Sequence, residues 1–133
     1  MSTCDRFEVI ASAPFGRSVK ELRKLYYPGR SRVRLDDLIE RVVAGLEADP
    51  RPQPPNGHLE PWPRGKSLES AELWKLELSM PGLAGASSRG RLIYILYPAR
   101  CRVTLVCVYT HNQYRKRPDD KLLDAWLRES DRS

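Results

Sequence analysis

Apolar residues fall three or four apart at Val19, Leu22, Leu25 and Tyr26, then form a continuous stripe at Leu35, Leu38, Ile39, Val42, Val43 and Leu46. That spacing marks one face of an α-helix. It predicts a helix from Pro14 to about Tyr27, ended by Pro28-Gly29, and a second from Val33 to Ala48 with Arg34, Asp37, Glu40, Arg41 and Glu47 on its wet side. From Glu72 to Ser79 the period changes to two: Trp74, Leu76 and Leu78 face one way, and Lys75, Glu77 and Ser79 the other. This is the pattern of a half-buried strand. Gly90–Tyr97 and Arg102–His111 are apolar, β-branched and aromatic runs on either side of Pro98-Ala-Arg-Cys, and predict a hairpin of central strands. Phe7–Ile10 predicts a short first strand. Pro118 opens a last helix to about Glu129, with Asp119 and Asp120 in its first turn and Leu122, Leu123, Trp126 and Leu127 on its packing face.

These elements predict an α+β fold, with an antiparallel sheet of about four strands, an N-terminal helical hairpin on one face and a C-terminal helix. At 133 residues a single domain is expected. Six prolines between Pro50 and Pro63 exclude a regular helix or a central strand there, so residues 50–70 are expected to be an irregular, partly extended loop.

Composition adds a sign to this framework. Lys and Arg outnumber Asp and Glu by 23 to 17, for a net charge of +6. A basic domain of this size attracts polyanions, although net charge does not separate RNA from DNA, an acidic protein or an anionic membrane. The three cysteines, Cys4, Cys101 and Cys107, are odd in number and form no CxxC pair. Neither a disulfide framework nor a zinc site is suggested, and reduced thiols in a cytoplasm fit best. Met1-Ser-Thr-Cys-Asp-Arg reaches a charge before any apolar run, and no stretch has the length of a membrane span. A soluble, unexported protein is expected.

If the hairpin pairs symmetrically about residue 100, Arg91 lies opposite Tyr109, and His111 follows two residues later on the same face. Lys75 and Glu77 belong to the wet side of the neighbouring strand. This set suits cleavage of an RNA phosphodiester without metal or cofactor. A base deprotonates the 2′-hydroxyl, cations stabilise charge on the phosphate, and an acid protonates the leaving oxygen. Arg91 would hold phosphate through paired donors, and His111 titrates near neutrality and suits either proton transfer. Beyond the strand, Tyr114 offers a ring to an unpaired base, and Arg115, Lys116 and Arg117 are candidates to track its backbone. Each residue has a plainer reading. Arg91 is equally a solvated residue at a strand start, His111 a hydrogen-bonded surface histidine, Lys75 and Glu77 the wet face of a strand, and 115–117 a solvated loop. His58 is expected simply to be exposed.

The order of short strand, two helices and then WKLELS, GRLIYILY and RVTLVCVYTHN resembles the RelE/ParE superfamily of bacterial toxins from type II toxin–antitoxin systems. Nearly the whole chain takes part. The most specific pieces are RGRLIY at 89–94 and VYTHNQYRKRPDD at 108–120, the latter similar to the RelE and HigB-like branch; KELRKL at 20–25 and GLEADPRP at 45–52 are looser echoes. The resemblance implies a ribosome-associated, metal-independent mRNA endoribonuclease held inactive by a cognate antitoxin protein. It also implies Arg91 as the phosphate-contacting arginine, Lys75 as the first basic residue of the preceding strand, and His111 at the strand-end Arg or His position. Tyr114 lies near the family's aromatic position. Glu77 stands where part of the family has a second basic residue and other members use a carboxylate as base. A ParE-like inhibitor of DNA gyrase and a non-catalytic RNA-binding module are the alternatives.

Overall fold

A computed structural model describes residues 4–132. The Met1–Thr3 start of the segment read above for export signals lies outside the described residues. The elements, in chain order, are β1 (Glu8–Ala11), α1 (Ala13–Tyr26), α2 (Arg32–Ala48), β2 (Gly57–Leu59), β3 (Glu72–Ser79), β4 (Arg89–Tyr97), β5 (Arg102–Thr110) and α3 (Asp120–Asp131). They form one five-stranded sheet in the order β1-β5-β4-β3-β2, antiparallel except for the β1–β5 pair. The fold is α+β, with five strands among the described residues rather than about four. The additional strand, β2, sits inside the proline-rich stretch. Its three residues pair with Trp74, Lys75 and Leu76 at the sheet edge, where missing amide donors are tolerated.

Local signals place the helices. The Ser12 hydroxyl accepts from Phe15 N–H at the start of α1, and the Asp119 carboxylate accepts from Leu122 N–H at the start of α3. Asp119 is therefore the cap of α3 and Asp120 its first residue, slightly later than the Pro118 start predicted. Phe15, Val19 and Leu22 of α1 and Leu35, Leu38 and Leu46 of α2 bury against Trp74, Leu92, Tyr94, Leu96, Val103, Leu105 and Val108 on one face of the sheet. Leu123 and Leu127 of α3 pack on the other face, against Leu73, Ile93, Ile95, Val106 and Cys107. α3 covers only the half of this face near the β4–β5 turn.

The β4–β5 hairpin carries two registers. At the turn, Tyr97 pairs with Arg102 and Tyr94 with Leu105. After a bulge, Ile93 pairs with Cys107 and Arg91 with Tyr109. Val106 is the extra residue, and it buries on the same side as Cys107. The pairing of Arg91 with Tyr109 expected from symmetry is present, but the bulge produces it; the turn's own register would set Arg91 opposite Val108. Gly90 begins this stretch because a Cβ there would run into the Met80 sulfur.

The cysteine reading needs correction. Cys4 and Cys101 are joined by a disulfide, with Cα atoms 5.6 Å apart. Parallel pairing sets Glu8 beside Arg102, so the residues preceding β1 arrive at the β4–β5 turn. An odd count hid this pair because Cys107 is a core residue. Burial pushes its thiol up to about 12, out of reach of ordinary thiol chemistry. Among the described residues no helix is long and apolar enough to cross a membrane.

Candidate nucleic-acid groove

The half of the sheet that α3 leaves uncovered holds a groove of about 430 Å³, lined by Glu60, Pro61, Lys75, Glu77, Arg91, Arg115, Lys116 and Arg117. Strands β3 and β4 build its floor, through Lys75, Glu77 and Arg91. The register sets Glu77 opposite Arg91 and Arg91 opposite Tyr109, so one row of the sheet reads Glu, Arg, Tyr. Arg91 is only 7% exposed. Its Nε lies 3.3 Å from Glu77 Oε2, and Nη1 donates to Arg89 O at 3.3 Å. These contacts aim the guanidinium and leave other donors uncommitted. Glu77 is the exposed partner, with 40% of its side chain accessible.

Tyr109 organises the wall beyond β5. Its ring meets Tyr114 edge-on, at 5.5 Å between centroids, and its hydroxyl donates to Lys116 O at 2.8 Å. Burial holds this phenol well above its ordinary pKa, which keeps it a neutral donor. The tether brings Arg115 and Lys116 to the groove. Arg117 serves a bracing role: it donates to Pro61 O and Asp120 Oδ1 and lies 3.5 Å from Glu60 Oε2. Arg117 and the backbone N–H of Arg64 hold the Asp120 carboxyl below its usual range.

Of the residues singled out in the sequence, Lys75, Glu77, Arg91, Arg115, Lys116 and Arg117 converge on the groove. His111 and Tyr114 do not line it. His111 follows β5 directly; its N–H donates to Arg89 O at 2.8 Å, and its Nδ1 is buried without a hydrogen-bond partner. Tyr114 lines a separate pocket of about 140 Å³ with Gln113, Trp126 and residues of α1.

Sequence reasoning missed Glu60, whose side chain is 6% exposed. Its Oε2 lies 3.5 Å from Lys75 Nζ and from Arg117 Nη1, and its Oε1 lies 3.4 Å from His58 Nε2. His58, expected merely to be exposed, is half-buried and faces this carboxylate. The available signal was the His-Leu-Glu alternation in a proline-bounded stretch, too short to read as a strand. In all, five cationic side chains face two carboxylates across the groove, a balance that favours a phosphate-bearing ligand. Among the described residues no group of three or more His, Cys, Asp or Glu side chains is arranged to hold a metal ion.

No family model matches the chain, and no curated protein does. Among solved structures the chain is similar to a double arginine-to-alanine mutant of E. coli toxin RelE in its free state, at 16% identity over 96% of each chain, with a TM-score of 0.46.

Proposed function

We propose that this chain is the toxin of a type II toxin–antitoxin pair, of the RelE/ParE superfamily, and cuts mRNA on the ribosome as a metal-independent endoribonuclease in the cytoplasm. The observation that carries this reading is Glu77 paired with Arg91 across neighbouring strands on the open half of the sheet, in one groove with Lys75, Arg115 and Lys116. The two sequence segments with the strongest family resemblance, 89–94 and 108–120, form β4 and the β5–α3 connection. Both border this groove.

In the proposed reaction Arg91 and Lys75 bind the scissile phosphate and stabilise the charge that grows on it. Glu77, the exposed carboxylate beside Arg91, takes the proton of the 2′-hydroxyl, whose oxygen attacks phosphorus. The 5′-oxygen leaves with a proton from His111. The base on β3 and the acid just past the end of β5 then stand on either side of Arg91, as displacement through phosphorus requires. Diagonal neighbours across a strand pair lie ~7–8 Å apart, so a phosphate held by Arg91 meets His111 by reaching past the end of the groove. Arg115 and Lys116 follow the RNA backbone, and Tyr114 takes an unpaired base at its edge. A cognate antitoxin with acidic residues complements the +6 surface.

Expression without an antitoxin is the test. Growth should stop with translated mRNA cut, and Arg91→Ala with His111→Ala should abolish both effects. Arrest with intact mRNA and accumulating DNA breaks would point to a gyrase inhibitor. Tight, salt-dependent RNA binding with neither cleavage nor toxicity would point to a binding module.

A further inference from the structure

Glu60 has no part in the chemistry proposed above, yet it is the most buried charged side chain of the groove. A carboxylate taken out of water is costly unless cations surround it. Here Lys75 and Arg117 do so at 3.5 Å, with His58 Nε2 3.4 Å from the other oxygen. These separations exceed the ~2.7–3.2 Å of a hydrogen bond. The carboxylate thus attracts its neighbours without consuming their donors.

The backbone makes its position firm. Glu60 N–H donates to Leu73 O at 2.8 Å, β2 pairs with β3 just before it, and Arg117 donates to Pro61 O just after it. The start of the same segment is fastened as well: Tyr94 Oη donates to Pro50 O, and Arg51 forms two hydrogen bonds to Glu72. A rigid anion is therefore set beside a lysine, the cationic side chain that otherwise moves most freely. His58 occupies the other carboxylate oxygen, which leaves Oε2 for Lys75 and Arg117. Without Glu60 those two cations would repel each other, and Lys75 would swing towards solvent.

We infer that Glu60 is a positioning residue of the nuclease site, holding the Lys75 ammonium where the scissile phosphate binds; this rests on the nuclease reading above. The proline-rich segment is then part of the active groove. Glu60→Gln leaves the groove more positive and Lys75 less fixed. Turnover and affinity should consequently move apart.

The experiment compares wild type, Glu60→Gln, Lys75→Met and the double variant on ribosomes programmed with one short mRNA. Binding is measured with its 2′-O-methyl form, which lacks the nucleophile, and thermal unfolding is followed in parallel. Glu60→Gln should lower kcat by about 10- to 100-fold, the scale of a small misplacement, with KM and 2′-O-methyl affinity unchanged or tighter. If Glu60 acts through Lys75, the double variant should have the kcat of Lys75→Met alone. Unchanged kcat in Glu60→Gln would overturn the inference, as would faster cleavage, joint loss of kcat and affinity, or losses that multiply in the double variant. Should Glu60→Gln not fold, Glu60→Asp serves: lower kcat at unchanged affinity supports the role, and no loss overturns it. Absence of cleavage in wild type is a separate result, which removes the nuclease reading and this inference with it.

Discussion

Glu77 and Arg91 face each other directly across β3 and β4, 3.3 Å apart, yet 40% of the carboxylate side chain is exposed and only 8% of the arginine's. The buried member is held by the accessible one. If Glu77 is the base, Glu77→Gln should reduce kcat for RNA cleavage by about 10²–10⁴-fold, the usual contribution of a positioned proton acceptor. The amide keeps the shape of the side chain but removes the carboxylate partner of buried Arg91, so the unfolding temperature should also fall. Single-turnover cleavage together with a thermal melt checks both, and undiminished cleavage would move the base elsewhere.

For His111 the expectation is chemical rescue. Its removal as His111→Ala takes away the proposed proton donor without touching the groove lining. Cleavage should fall by about 10²-fold or more and recover in part on addition of imidazole. Failure of rescue, with RNA binding intact, would remove His111 from the chemistry, since its backbone bond to Arg89 O survives the substitution.

Tyr109→Phe removes one hydroxyl that donates to Lys116 O and leaves the ring packing in place. A net cost of about 0.5–1.5 kcal/mol is expected for a single hydrogen bond. Arg115 and Lys116 should lose their fixed approach to the groove. RNA binding should therefore weaken, with a shallower dependence on salt concentration, which filter binding across a salt series would measure.

Much of this was legible from periodicity. The helical stripes at 19–26 and 35–46 and the alternation at 72–79 depend on neighbours within one element, and the elements formed where that pattern placed them. The floor of the groove followed, because alternation alone separates Lys75 and Glu77 from Trp74 and Leu76. The pairing of Arg91 with Tyr109 was reached for an incomplete reason: the bulge at Val106 leaves no mark in a run of β-branched residues. Glu60 and the Cys4–Cys101 bond were not legible at all. Both depend on contacts between segments far apart in the chain, one through an edge strand of three residues and the other through a parallel strand pairing that brings together cysteines 97 apart in sequence.

The Arg51–Glu72 pair gives stability a pH dependence. Hydrogen bonding from Arg51, with a second bond from Trp74 Nε1, holds the Glu72 carboxyl below its ordinary value of 4.5. Its stabilisation is complete above that value and is lost as pH falls through the lower folded-state value. Both side chains are partly exposed, 42% for Arg51 and 30% for Glu72, so the pair is worth about 1 kcal/mol or less. Arg51→Gln should be less stable than wild type by that amount at pH 7, and the gap should close towards pH 3 in urea unfolding.

Reduction of Cys4–Cys101 should lower stability without lowering activity. A cross-link over so long a loop typically contributes about 2–4 kcal/mol, while Cys101 lies at the opposite end of the hairpin from Arg91, ~20 Å along strands that rise ~3.3 Å per residue. β1 stays joined to β5 by its four register pairs. Cleavage by the Cys4→Ser, Cys101→Ser variant should therefore match wild type while its melting temperature falls.

Val106 gives the β4–β5 hairpin one residue of slack. The turn counts positions in one register and the groove counts them in another, and the bulge absorbs the difference. Shortening β5 by one residue at this point would let a continuous ladder form and still leave Arg91 across from Tyr109. The same loss beyond Tyr109 would pull His111 back into the ladder and onto the helix-covered side. Tolerance to a change in length is therefore unevenly distributed along this strand: it ends where the proposed chemistry begins.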